Sequence, residues 1–455
     1  IKQFLNYISL IEGGVGSVIL ASLYLPYYKH DDAKINQIYS GSRHFFEQIV
    51  LIFIAYSVAL ALIYPIVVKS SFGYKYIASM IIIVAISLIF QYYLFITQKL
   101  LLIAANKIYL CNIAQILSLI VNSILIIYIS KYRNLHLVQI GSCGVFLIQG
   151  ILYYIYAKKY FKISYVKKYD KSILAQRWDG FYQNLAYFVN TNTDIVILTF
   201  FSLKEVSVYS VYMLVINGIR SVIVSVSNSF QALIGKSIAI DDREQLNAKF
   251  GIYERAIQGI TIILYGTVLL LIREFVINYV GRVNDVNYNR IYFPLIITLA
   301  YTIMCFREPY NLIINSANHF KQTVKGAVWE AVINIVISIS LVFKFGIVGV
   351  AIGTLIASVY RTVYFIQYLQ KNILLRDFKL QLKRFATYAI IILMDSILFV
   401  IFSEHQTMTW MGFIVDGLIA ILINAIVFTI VELIANRKEF IGDILYLSKN
   451  RRMRH

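Results

Sequence analysis

Charged residues are scarce in this chain, 14% of 455 residues against 59% hydrophobic. That leaves too little polar surface to clothe a soluble protein of this length. Cysteine is scarce too: Cys111, Cys143 and Cys305 form no CxxC and offer no disulfide framework. All three fall inside apolar runs and read as small buried hydrophobes. The histidines at 30, 44, 136, 319, 405 and 455 have no metal-ligand spacing. Gly235-Lys236-Ser237 ends like a phosphate-binding loop, but Phe230 stands where that motif needs its first glycine, and an apolar run precedes it instead of a strand. No pair of carboxylates occupies a long outer loop where glycosyl chemistry could proceed. These absences argue against an enzyme and call for no metal and no cofactor.

What the chain has in quantity is hydrophobic runs of membrane-spanning length. A helix crossing a bilayer needs roughly 20 mainly apolar residues, because backbone amides in hydrocarbon must be satisfied within the helix. Thirteen runs qualify: 4–28, 45–68, 76–97, 108–129, 137–157, 183–201, 206–232, 250–272, 291–316, 326–343, 346–369, 385–402 and 410–435. The sequence therefore predicts an all-α, polytopic membrane protein.

Orientation follows from the basic residues. The loops after alternate spans, together with the tail carrying Arg437, Lys438, Lys449, Arg451, Arg452 and Arg454, hold most of the 42 Lys and Arg. Positive loops stay in the cytoplasm, which puts the tail inside and, with thirteen spans, residue 1 outside. The chain starts with Ile and shows no cleavable signal. The expectation is one upstream helix, fourteen spans in the full protein and both ends inside. The net charge of +19 then belongs at cytoplasmic helix ends, facing anionic membrane lipids, and implies no nucleic acid.

The longest polar stretch, 158–182, separates five spans from eight, or six from eight with the upstream helix restored. This suggests an N-terminal lobe over 1–157, a cytoplasmic inter-lobe loop over 158–182 and a C-terminal lobe over 183–369. Two additional helices over 370–435 and a basic cytoplasmic tail over 436–455 complete the chain. Transporters are often built from repeated halves around a central site near the midplane. The expected architecture is a two-lobe transporter fold with a central cavity.

Charge at membrane depth supplies the candidate site. Arg220, Arg307 and Arg361 each lie within a span, as do Glu12, Asp194, Glu308, Asp395 and Asp416, with Glu330 near an end. A central arginine costs about 2.5–3.5 kcal/mol on insertion scales, so it faces a partner or a wet cavity. The three arginine-bearing spans all run inward, and each arginine sits about 14 or 15 residues from the outer start, roughly 21 Å at ~1.5 Å per residue. They should share one layer. Such a layer can grip an anion bidentately, or it can be neutralised by Asp194, Glu308 and Glu330. Asp194, Glu330 and Glu12 are candidates for counter-charges or coupling-ion ligands. Gly13, Gly14 and Gly16 beside Glu12, and Gly349 and Gly353, mark close helix packing. Pro309 removes the hydrogen bond that the Cys305 carbonyl would accept, so the span should kink there, with Asn311 and Asn315 able to satisfy freed groups.

Several segments carry a resemblance. Phe188-Val-Asn-Thr-Asn-Thr-Asp194-Ile-Val-Ile-Leu198, Val206-Ser-Val-Tyr-Ser-Val-Tyr212, Arg307-Glu-Pro-Tyr-Asn311 and Asn318-His-Phe-Lys-Gln-Thr323 lead the set. Gly346-Ile-Val-Gly-Val-Ala-Ile-Gly-Thr354, Tyr360-Arg-Thr362 and Ser9-Leu-Ile-Glu-Gly-Gly-Val-Gly16 complete it. In this order they resemble the polysaccharide transporter family of bacterial flippases, within the multidrug/oligosaccharidyl-lipid/polysaccharide exporter superfamily. The resemblance covers almost the whole chain. It implies a flippase that carries polyprenyl-pyrophosphate-linked oligosaccharide (O-antigen, capsule or teichoic-type) outward across the bacterial cytoplasmic membrane by alternating access. Na⁺ or H⁺ coupling and other polysaccharide-assembly proteins are the implied partners besides the lipid-linked oligosaccharide itself. A multidrug or cation antiporter of the same superfamily is the first rival, and a membrane-embedded polysaccharide polymerase or transferase the second.

Overall fold

The computed structural model describes residues 2–5, 15–16, 19–20, 22–23, 26–68, 73–105, 107–132, 134–166, 192–230, 234, 243–281, 283, 285–317, 319–376, 378–401, 409–437 and 439–442. Glu12 with Gly13 and Gly14, the greater part of the 158–182 loop, Gly235-Lys236-Ser237 and the tail beyond 442 lie outside them. Among the described residues there is no strand, and nine helices are long and apolar enough to cross a membrane. The chain divides into two compact units, Ile1–Phe188 and Val189–His455.

In the first unit, α1 runs Asp32–Val67, and α2 (Tyr74–Phe90) passes through one wide turn at Gln91–Phe95 into α3 (Ile96–Ala104). The helices α4 (Ile108–Ser130) and α5 (Leu135–Tyr160) follow and pack as a pair. At 36 residues, α1 is about 54 Å long, well beyond the hydrocarbon thickness. Its start is fixed by Asp31, whose carboxylate accepts from the Lys34 amide at 2.9 Å. The start predicted at residue 45 was late because the polar first turns of α1 interrupt the apolar run without interrupting the helix. The chain leaving α5 is held against α1. Asn36 donates to the Lys162 carbonyl at 3.1 Å and accepts from the Ser164 amide at 2.9 Å. Leu51, Ile52, Ile66 and Ile127 stand exposed on the outer faces, as lipid-facing positions must.

The second unit contains α6 (Asn192–Phe201), α7 (Leu203–Asn228), α8 (Arg243–Val280), α9 (Tyr292–Phe306) and α10 (Glu308–Ser316). It continues with α11 (Phe320–Phe345), α12 (Ile347–Leu369), α13 (Phe378–Ile401) and α14 (Trp410–Ala435). Within their apolar windows α8 is 61% buried and α12 56%, against 22% for α14. The first two are the inner helices of this unit, and α13 and α14 lean on α8.

The span expected over 291–316 is two helices, not one. Without an N–H on residue 309, the ladder breaks at Arg307, whose carbonyl instead accepts from the Tyr310 and Asn311 amides at 3.0 Å each. The Asn311 side chain bonds to Glu308 at 3.3 Å and does not turn back to the freed backbone.

The close packing expected at Gly349 and Gly353 is present. Gly346, at φ +57°, makes the one-residue turn between α11 and α12. A side chain at 353 would collide with Ser338 and the Asn334 carbonyl, and one at 349 with the Leu341 backbone.

Candidate functional site

The break at Arg307 turns that side chain into the unit's interior. Its Nη1 donates to Glu330 Oε1 at 2.6 Å, and Arg361 Nε lies 3.9 Å from the other Glu330 oxygen. One aromatic ring serves both cations: Phe365 has the Arg361 guanidinium 4.1 Å from its centroid and the Arg307 guanidinium 5.9 Å away. Arg361 also donates to the Thr323 carbonyl at 3.4 Å. Arg307, Arg361 and Glu330 are all under 10% exposed. Beside them, Arg220 Nη2 lies 3.9 Å from Glu308 Oε1, and Glu308 directly follows Arg307 in the chain. Among the described residues, three arginines thus gather around two glutamates. Arg307 Nε is buried with no hydrogen-bond partner among the described residues.

Asp194 stands apart from this cluster. It is 3% exposed and is surrounded by neutral donors, not by an arginine. The Thr354 hydroxyl donates to Oδ2 at 2.7 Å, the Tyr209 hydroxyl to Oδ2 at 3.1 Å and the Asn334 amide to Oδ1 at 3.4 Å. Ser338 donates to Asn334 Oδ1 at 2.9 Å and to the Val350 carbonyl at 3.4 Å. Small glycines on α12 let α11 approach closely enough to bring these oxygens together. A carboxylate among hydroxyl, amide and carbonyl oxygens is a hard donor set, suited to a small cation and not to a soft metal. Of the sequence-derived candidates, Arg220, Arg307, Arg361 and Glu330 lie in one neighbourhood and Asp194 in another; Glu12 is outside the described residues.

A third ionic group escaped the sequence reading. Glu254, fully buried on α8, accepts from the Tyr310 hydroxyl and from Arg384 at 3.2 Å, with Arg376 3.6 Å away. Arg255 pairs with Glu439 at 3.2 Å and Glu432 at 3.8 Å, and Arg384 also reaches Glu439. Tyr310 therefore links the segment after Arg307 to the basic start of α13 and the end of α14. The available signal was Glu254-Arg255 inside the span read as 250–272.

No protein-family model matches the chain, and no curated protein matches it by sequence. Its fold does match solved structures. It resembles lipid II flippase MurJ in an inward closed conformation at TM-score 0.70 and 17% identity, over 94% of this chain and 90% of that one. An inward-facing multidrug resistance MATE family transporter of the MOP superfamily aligns at TM-score 0.60 and 13% identity, over 81% and 89%. The Vibrio cholerae MATE transporter VcmN in its bent form aligns at 0.55 and 13%, over 81% and 86%. At these identities the likeness is one of fold. The chain is a multi-pass, all-α membrane protein with the fold of these transporters.

Proposed function

We propose that the chain is a flippase for polyprenyl-pyrophosphate-linked oligosaccharide in the bacterial cytoplasmic membrane. The observation that carries this reading is the cluster of Arg220, Arg307 and Arg361 around Glu308 and Glu330, with Arg307 and Arg361 buried. A pyrophosphate offers negative charge and oxygens that match guanidinium forks. The glutamates hold the arginines while no phosphate is there and compete with it afterwards, which lets the substrate leave. The lipid tail stays in the bilayer while the headgroup crosses a central cavity between a lobe at 1–157 and a lobe at 183–369. The loop 158–182 joins them on the cytoplasmic side, and the helices of 370–435 stand outside. An inside-negative potential favours outward movement of an anion, by about 2.3 kcal/mol per charge per 100 mV. In this reading Asp194 is the site for a coupling Na⁺ or H⁺, and other polysaccharide-assembly proteins hand over and receive the substrate.

A second reading, a multidrug or cation antiporter, draws on the same buried Asp194 with its oxygen donors and on the multidrug transporters of like fold. Purified full-length protein in liposomes separates the two. The flippase reading expects a polyprenyl-pyrophosphate oligosaccharide placed on one leaflet to reach the other, while a cationic dye stays put. Dye movement without lipid movement would establish the second reading.

A further inference from the structure

Another buried carboxylate, outside these three clusters, lies among α8, α9, α13 and α14. Asp395 on α13 is 4% exposed. Its Oδ1 faces the Asn424 side chain of α14; with that amide turned to point its nitrogen at the carboxylate, the two form a 3.1 Å hydrogen bond. Its Oδ2 has no hydrogen-bond partner among the described residues and borders a small cavity. Tyr265 and Gly266 of α8 and Thr298 and Thr302 of α9 line the same cavity. Thr298 Oγ1 is likewise buried without a partner. The Thr302 hydroxyl donates to the Thr298 carbonyl at 2.8 Å, which leaves its oxygen lone pairs available. A side chain on residue 266 would collide with Asp395 Oδ2, so this glycine lets the carboxylate rest against α8. The Tyr265 hydroxyl, the other titratable group on the lining, is committed to the Ile216 carbonyl at 3.1 Å.

A carboxylate in an apolar interior is costly unless a charge or a full set of donors meets it. Among the described residues, no Lys, Arg or His lines this cavity. The space has room for about one water-sized occupant. A divalent ion would leave one positive charge uncompensated at membrane depth. Oxygen donors exclude a soft metal. Potassium, the larger ion with longer bonds to oxygen, fits a space of this size less well than sodium.

We propose that Asp395, with the hydroxyls of Thr298 and Thr302, binds a sodium ion between α13 and the α8–α9 pair. The ion neutralises Asp395 and draws both orphaned oxygens onto one centre, so its occupancy fixes how α13 and α14 lean on α8. The site is separate from Asp194 and independent of the substrate reading.

Thermal unfolding of the purified full-length protein tests it, with NaCl replaced stepwise by choline chloride at constant ionic strength. An Asp194→Asn variant should keep a saturable, sodium-dependent rise in Tm. Adding Asp395→Asn should abolish that rise, and adding Thr298→Val, which keeps the acid, should weaken apparent sodium affinity roughly tenfold. Size-exclusion profiles establish that each variant is folded. Three results would overturn the proposal: a folded Asp194→Asn protein with no sodium response, a response that survives Asp395→Asn, or a Tm that follows pH equally in sodium and choline. The last would make Asp395 a protonation site.

Discussion

Arg307, at the break between α9 and α10, and Arg361 of α12 share a single carboxylate: Glu330 of α11 lies 2.6 Å from the first and 3.9 Å from the second. An ion pair this deep gains little net stability, because removing charges from water costs about what their attraction returns. Its value is positional. It holds two guanidiniums within reach of one ring, Phe365, and of one another.

Removing the shared acid should therefore be costly. Glu330→Gln leaves two buried cations without their counter-charge, and breaking such a pair costs about 3–5 kcal/mol. We expect a clear fall in Tm for Glu330→Gln. The double variant Glu330→Gln with Arg361→Gln, which removes one of the stranded charges, should recover part of the loss. If Glu330→Gln unfolds like the parent, Glu330 is not holding the arginines.

The break at Arg307 depends on Pro309. Pro309→Ala restores the N–H that the Cys305 carbonyl would accept and allows α9 and α10 to join. Stability should hold, since Pro309 sits in the first turn of α10, where proline is tolerated and its loss removes little strain. Transport should fall several-fold if Arg307 is turned away from Glu330. Unchanged transport would make the break a static kink.

Helix approach at the Asp194 cluster rests on Gly353. A Gly353→Val side chain would displace Ser338 and the Asn334 carbonyl, and overpacking of this kind costs about 1–3 kcal/mol. Gly218, with open space around it, is the control: Gly218→Ala should be tolerated.

Orientation can be read chemically. In a background lacking Cys111, Cys143 and Cys305, a cysteine at position 165 should resist an impermeant thiol reagent in intact cells and react once the membrane is opened. Tyr165 is 55% exposed, so access is not limited by burial. Labelling from outside would invert the topology.

Much of the fold was legible because membrane helices announce themselves by length and apolarity, and Arg220, Arg307 and Arg361 stood out because charge inside such runs is rare. Their partners were harder to assign. The carboxylates Asp194, Glu308 and Glu330 all lie at accessible depth in sequence terms, and only packing decides that Glu308 faces Arg220 while Asp194 faces Thr354 and Tyr209. Glu254 and Arg255 stand at the start of the apolar run 250–272, and their burial against Tyr310 and Arg384, 56 and 130 residues from Glu254, is not written locally. The break at Arg307 was visible in Pro309, but the long polar start of α1 was not visible in the hydrophobic pattern.

The central claim is that the buried arginines hold the substrate's phosphates, and the most direct measurement compares Arg307→Lys with Arg307→Gln in leaflet-to-leaflet movement of a polyprenyl-pyrophosphate oligosaccharide. Full-length protein is reconstituted in liposomes, with Tm and insertion matched among variants. Lysine keeps the charge and loses the planar fork, so partial activity is expected for Arg307→Lys and near-complete loss for Arg307→Gln, with the same order at Arg361 and Arg220. Normal movement in the triple Arg→Gln protein would contradict the account.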